Sequence, residues 1–183
     1  MLNREEALDL VKEHIKEDSL LKHMLSTEAI MRALAERLNQ DIDKWGLVGL
    51  LHDIDYEEVN QDPAKHGMVG ADFLERIGLE EEIVHAVRAH NEYHGVERVT
   101  LLDKALYAAD PMTGFITAVS LVLPSKRIAD VTPKQVKKKL KDKAFARGAS
   151  REQIYSCDQL GLTLDEFIEI SLEAMSKMDF NLG

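Results

Sequence analysis

Apolar residues recur every three to four positions along almost the whole chain, and no stretch alternates apolar and polar residues as a half-buried strand would. Ala7, Leu8, Val11 and Ile15 form one stripe between Glu5 and Glu17, and Asp18-Ser19 interrupts it. Leu20, Met24, Met31, Leu34 and Leu38 predict a second helix from Leu20 to Leu38, and Asp43 is a candidate cap for a third that carries Trp45, Val48, Leu51 and His52. The acidic run from Asp55 to Gln61 reads as a loop. Asp62-Pro63 pairs a capping residue with a proline suited to the first helical position, which predicts a helix ending at Gly78. Glu80 to Asn91 follows, with Gly95 closing the region. Leu101 to Leu123 predicts a long apolar helix, kinked at Pro111 because proline lacks an amide and crowds the preceding turn. Asp130 to Lys143, Arg151 to Gln159 and Thr163 to Met178 complete the set. The expectation is an all-α fold, one domain over residues 1–183, with a helical C-terminal extension from about residue 126.

Composition narrows the function classes. A chain of 183 residues with 45% hydrophobic and 31% charged residues can bury one ordinary core, and a single cysteine, Cys157, excludes an intrachain disulfide framework. The formal charge of −10 argues against nucleic-acid binding over the whole surface. The start of the chain turns acidic at once and lacks the apolar stretch of a secretory signal, so a cytoplasmic location is expected. From Ala105 to Ser125 only Asp110 is charged, but Pro111, Thr113, Gly114, Thr117 and Ser120 mark a buried core helix instead of a membrane span. Such a helix could also pack against a second copy of the chain. Between Lys126 and Arg151 there are 10 Lys/Arg against Asp130 and Asp142, a local net of +8. That run reads as a solvated basic face; the sharper alternative is a phosphate-facing rim with Lys126 and Arg127 nearest the buried helix.

The chemistry-bearing residues are histidines and aspartates on apolar faces. His52-Asp53 closes the run Trp45 to Leu51, where two titratable groups are costly unless something pairs with them. A metal ion would do so, and Gly49 leaves room for a helix or an ion to approach. His23 lies in line with Thr27, Ile30 and Leu34; His66 with Val69, Gly70, Phe73 and Ile77; His90 with Ile83 and Val87. Each alone is more often a hydrogen-bonded core histidine than a ligand. Four histidines and two aspartates projecting inward from separate helices form a donor set suited to iron, manganese, cobalt, nickel or zinc. His14 and His85 sit among charged neighbours and read as surface residues, while His94 could reach the same rim as His90.

The order His23, His52-Asp53, His66, His90, Asp110 resembles the HD superfamily of metal-dependent phosphohydrolases, with the two extra histidines of members that bind two metals. Gly49-Leu50-Leu51-His52-Asp53-Ile54, Lys65-His66-Gly67, Arg88-Ala89-His90-Asn91 and Tyr107-Ala108-Ala109-Asp110 carry the likeness, and Val136 to Leu140 with Phe145-Ala146 is similar to small single-domain hydrolases of that superfamily. The resemblance implies an HD-type helical bundle and hydrolysis of a nucleotide or other small phosphate ester, with one or two divalent transition-metal ions. On that reading Asp53 bridges two ions, His23, His52 and Asp110 complete one, and His66 and His90 the other. Metal-activated water would attack the phosphorus, and Asp55, Asn91 or Glu92 would orient water or protonate the leaving group. Lys126, Arg127 and His94 are candidate substrate contacts. Two departures stand out. Many two-metal relatives read HDIG followed by a basic residue, whereas here Asp55 replaces the glycine and Tyr56 the base. Glu57 falls one residue later than the catalytic glutamate of the single-metal nucleotidases. Two alternatives keep the same donors: a diiron oxygenase and a non-catalytic ligand-binding module.

Overall fold

The computed structural model describes residues 2–178. Among them the chain is entirely helical, without a strand. The helices are α1 (Arg4–His14), α2 (Asp18–Arg37), α3 (Ile42–Leu51), α4 (Met68–Arg76), α5 (Glu81–His90), α6 (Leu101–Leu121), α7 (Pro133–Leu140), α8 (Arg151–Tyr155) and α9 (Leu164–Ser176). No helix among the described residues is long and apolar enough to cross a membrane.

The stripes expected from the sequence bury in two adjoining cores. One, built from α1, α3, α4, α5 and the start of α2, contains Val11, Met24, Leu47, Leu50, Leu51, Leu74 and Val87. The other surrounds α6 and takes in Ile30, Leu34, Leu106, Met112, Phe115, Val119 and Phe167. The segment after residue 126 contributes Ile128, Val136, Leu140 and Ile154 to this second core. On α7 only Val136 and Leu140 turn inward, and Lys137 pairs with Asp165 at 3.0 Å, so the basic run is a solvated face there.

Helix boundaries differ from the sequence reading at several ends, some set by local caps and one by a distant side chain. α2 starts at Asp18 instead of Leu20, after an extended break at Glu17. Asp41, not Asp43, caps α3 by accepting the amides of Asp43 and Lys44. Residues 62–67 do not open a helix; Asp62 closes a turn to His66, and α4 begins only after Gly67, at φ +83°. The chain must reverse there because the Asp55 carboxylate reaches in from the preceding loop to accept the Gly67 and Gly70 amides. The helical line drawn from His66 therefore fails at its far end, where Ile77 caps α4 and is 45% exposed.

Further along, Thr132 shortens α7 at its start through a capping box with Gln135. The stretch expected as a helix to Gln159 becomes the short α8 and a 3-10 turn, Ser156–Leu160. α6 runs through Pro111 without a break.

Candidate metal centre

Four helices and one loop converge on Asp53. His23 comes from the second turn of α2, His52 stands at the C-cap of α3, and Asp53 follows it. His66 ends the turn before Gly67, His90 is the last residue of α5, and Asp110 lies midway along α6. α2 can bring His23 up to His52 because α3 crosses it at Gly49. A Cβ there would lie 2.8 Å from the Glu28 Cα and 2.9 Å from the Glu28 nitrogen. Glu28, a buried carboxylate at that crossing, is neutralised by Arg4 at 2.6 Å and Arg32 at 2.9 Å.

The donor atoms form two groups that share Asp53: His23, His52 and Asp53 on one side, Asp53, His66 and His90 on the other. Asp53 Oδ1 is 3.3 Å from His52 Nε2, 3.3 Å from His66 Nε2 and 3.5 Å from His90 Nε2, while Oδ2 is 3.6 Å from His23 Nε2. Asp110 Oδ1 joins the first group, 3.1 Å from His23 Nε2 and 3.8 Å from His52 Nε2. Two nitrogen pairs face each other, His66–His90 at 3.0 Å and His23–His52 at 3.3 Å. Donors that share an ion at about 2.1 Å lie roughly 3.0–3.4 Å apart for right-angle to tetrahedral coordination. Five of the eight separations fall in that range, the 3.5–3.8 Å pairs correspond to wider angles, and each group on either side of Asp53 could hold a metal ion.

The imidazole orientations point the same way. His52 Nδ1 donates to the Gly49 carbonyl at 2.9 Å, His90 Nδ1 to the Val87 carbonyl at 2.6 Å, and His66 Nδ1 to Asp55 Oδ1 at 2.9 Å. With Nδ1 holding the proton, Nε2 turns its lone pair to the centre, the tautomer a metal requires. In the metal-free protein protons take that place. Burial opposes a charge on His52, but Asp53 and Asp110 outweigh it and hold its pKa well above the ordinary value. Burial likewise opposes a charge on His66, yet Asp53 and Asp55 raise it to about 9. Asp53 and Asp110 are held well below the carboxylate range, the cost of burial being overcome by the surrounding imidazoles.

The centre floors an open cavity of about 710 Å³, walled by α2, the middle of α6 and the segment 146–153. That last wall carries no sequence signal. It is gathered by Arg151, whose guanidinium donates to the carbonyls of Asp142, Phe145, Ala146 and Ala149 and lies over the Phe115 ring at 4.7 Å.

The remaining candidates are placed as follows. Asp55 stands behind His66, its carboxylate filled by His66, Gly67 and Gly70. Asn91 lines the cavity, but its amide donates to the carbonyls of Pro63 and His66 and its oxygen accepts the Tyr93 amide. His94 Nε2 lies 3.1 Å from the His66 carbonyl, outside the cavity lining. Lys126 and Arg127 are exposed and also outside it. Glu57, one residue off its expected role, accepts the amides of Lys16 and Glu17 ahead of α2. His14 and His85 are half-buried, not surface residues: His14 packs on Phe73, and His85 meets the buried Asp103 at 3.1 Å.

This arrangement, two histidine groups sharing one aspartate beneath an open cavity, belongs with its family. A family model described as HD domain matches residues 20–113, just over half of the chain, and the chain belongs to that family. All six candidate donors fall within the matched segment. Among curated proteins the chain is 33% identical over 96 residues to ribonuclease Y of Nitratidesulfovibrio vulgaris, covering 52% of this chain and 18% of the relative. It is 33% identical over 113 residues to ribonuclease Y of Fervidobacterium nodosum, covering 62% and 20%. A tRNA (cytidine(56)-2'-O)-methyltransferase of Thermoplasma volcanium is 35% identical over 83 residues, covering 45% and 24%. The chain thus spans about a fifth to a quarter of the length of these relatives.

Proposed function

We propose that the protein is a metal-dependent phosphohydrolase acting on a nucleotide or another small phosphate ester. The observation that carries this reading is the position of Asp53, shared by two donor groups at the floor of an open cavity. Divalent ions held there would polarise phosphoryl oxygens and activate water near neutral pH. The chain's own residues would fix that chemistry in place. His23, His52 and Asp110 would hold one ion and His66 and His90 the other, with Asp53 available to both. Asp55 acts through His66 as a positioning residue. Glu92, which lines the cavity, can accept or return a proton at the leaving group.

The test is elemental analysis of protein purified anaerobically without chelators, followed by phosphate-release assays on nucleotides, sugar phosphates and a short RNA, the last because of the ribonuclease relatives. Two ions per chain and ester cleavage lost in Asp53→Ala are expected. Oxygen uptake with an organic co-substrate and no phosphate release would move the assignment to an oxygenase on the same donors. Retained turnover in Asp53→Ala would remove the metal-centre reading.

A further inference from the structure

The charge pattern of the cavity narrows the substrate, an inference that rests on the phosphohydrolase reading. No lysine or arginine is among the described residues that line it. Four lining residues are carboxylates: Asp53 and Asp110 in the centre, and the more exposed Glu17 and Glu92. Glu92 is held in place. The hydroxyl of Tyr107, itself buried, donates to Glu92 Oε2 at 3.0 Å, and the Arg98 guanidinium covers the Tyr107 ring at 3.7 Å. Beyond the histidines, the other polar groups of the wall, Ser19, Tyr56, Gln61, Asn91, Ser150 and Gln153, carry no cationic side chain.

Two divalent ions would balance the four carboxylates, so the loaded cavity is formally neutral and a single phosphoryl group is met by the metals alone. A second or third phosphate would find no lysine or arginine among the described lining residues and would approach Glu17 or Glu92. Hydroxyl groups would instead donate to those carboxylates. We infer that the cavity selects a singly phosphorylated, hydroxyl-rich metabolite, the phosphomonoester of a sugar or nucleoside, and rejects polyphosphates, with Glu92 as a specificity-determining residue.

The experiment uses the full, metal-loaded chain. Binding is measured by calorimetry with the phosphonate analogue of AMP and the methylene-bridged analogue of ATP, and turnover with AMP, ribose 5-phosphate and ATP. The monophosphate analogue should bind about tenfold or more tightly than the triphosphate analogue, and kcat/KM should follow the same order. Glu92→Gln should weaken the first and strengthen the second, narrowing the gap. Ribose 5-phosphate cleaved as well as AMP would support recognition of the polyol, and AMP preferred would support recognition of the nucleoside. A triphosphate analogue that binds as well as the monophosphate, or a gap unmoved by Glu92→Gln, overturns the inference. The expected ranking with no phosphate released from any ester would remove the hydrolase reading and still support the preference for one phosphate.

Discussion

His66 Nδ1 and Asp55 Oδ1 lie 2.9 Å apart, and the other oxygen of the same carboxylate accepts the Gly67 and Gly70 amides that open α4. One buried side chain therefore sets both the tautomer of a metal donor and the start of a helix. Gly70 is part of the same fit, since a Cβ there would lie 3.1 Å from the Asp55 carboxyl carbon. Asp55→Asn keeps the shape but turns its NH2 group either toward the His66 Nδ1–H or toward the Gly67 and Gly70 amides, donor against donor. Metal affinity on the His66–His90 side should fall by about 10–100-fold, while the His23–His52–Asp110 side keeps its ion. Elemental analysis after dialysis should then find one ion per chain; two ions at the original affinity would contradict the coupling.

Gly49 sets the separation of α2 and α3. Gly49→Ala forces a methyl group against the Glu28 backbone, where no side chain can swing away. Destabilisation of about 1–3 kcal/mol is expected, as for other overpacked cores, together with weaker metal binding through the shifted His23–His52 pair. Urea denaturation of the metal-free protein isolates the first effect and metal titration the second. Wild-type stability in this variant would rule out the tight crossing.

The metal-free protein should lose stability as pH rises. His66 is raised to about 9 and His52 well above its ordinary value, so both bind protons more tightly folded than unfolded. For groups raised in the folded state, the stabilisation is complete below the unfolded value near 6.5 and disappears as pH climbs through the folded value. The melting temperature of chelated protein should therefore fall from about pH 6.5 to 9. Metal-loaded protein should not follow this trend, because the ions replace those protons. Metal binding itself should release protons, read as a dependence of the calorimetric heat on buffer ionisation enthalpy.

Cys157 packs into the α6 core, and burial pushes its thiol up to about 11. Native protein should react with Ellman's reagent on the timescale of unfolding, and at once in denaturant. A fast native reaction would mean that the α8–α9 region opens locally.

The helices and their inward faces are legible because burial follows the 3.6-residue period; His23 shares its stripe with the buried Thr27, Ile30 and Leu34. The convergence of six donors is not written in any period, and the sequence reading reached it by the types of residue that interrupt apolar faces. What stayed hidden depends on contacts distant in the chain. Asp55 reads as a candidate to orient water, and its place behind His66 emerges only when the Gly67 and Gly70 amides at the start of α4 arrive to use its carboxylate. Glu28 carries no signal in the sequence, yet it is buried at the α2–α3 crossing beneath Arg4, 24 residues away. The cavity wall at 146–153 is built of small and polar residues that the Arg151 side chain gathers through four carbonyls.

That clamp divides the molecule in a way the helix order does not. Every donor to the metal centre lies between residues 20 and 113, the stretch shared with the family, while Ala146, Gly148, Ala149, Ser150 and Gln153 belong to the segment beyond it. α6 joins the two, with Asp110 facing the centre and Phe115 beneath the Arg151 guanidinium. The six candidate donors thus come from the stretch that matches the family, while one wall above them is set by a segment that the match does not reach, so the shape of the cavity can change without touching the donors.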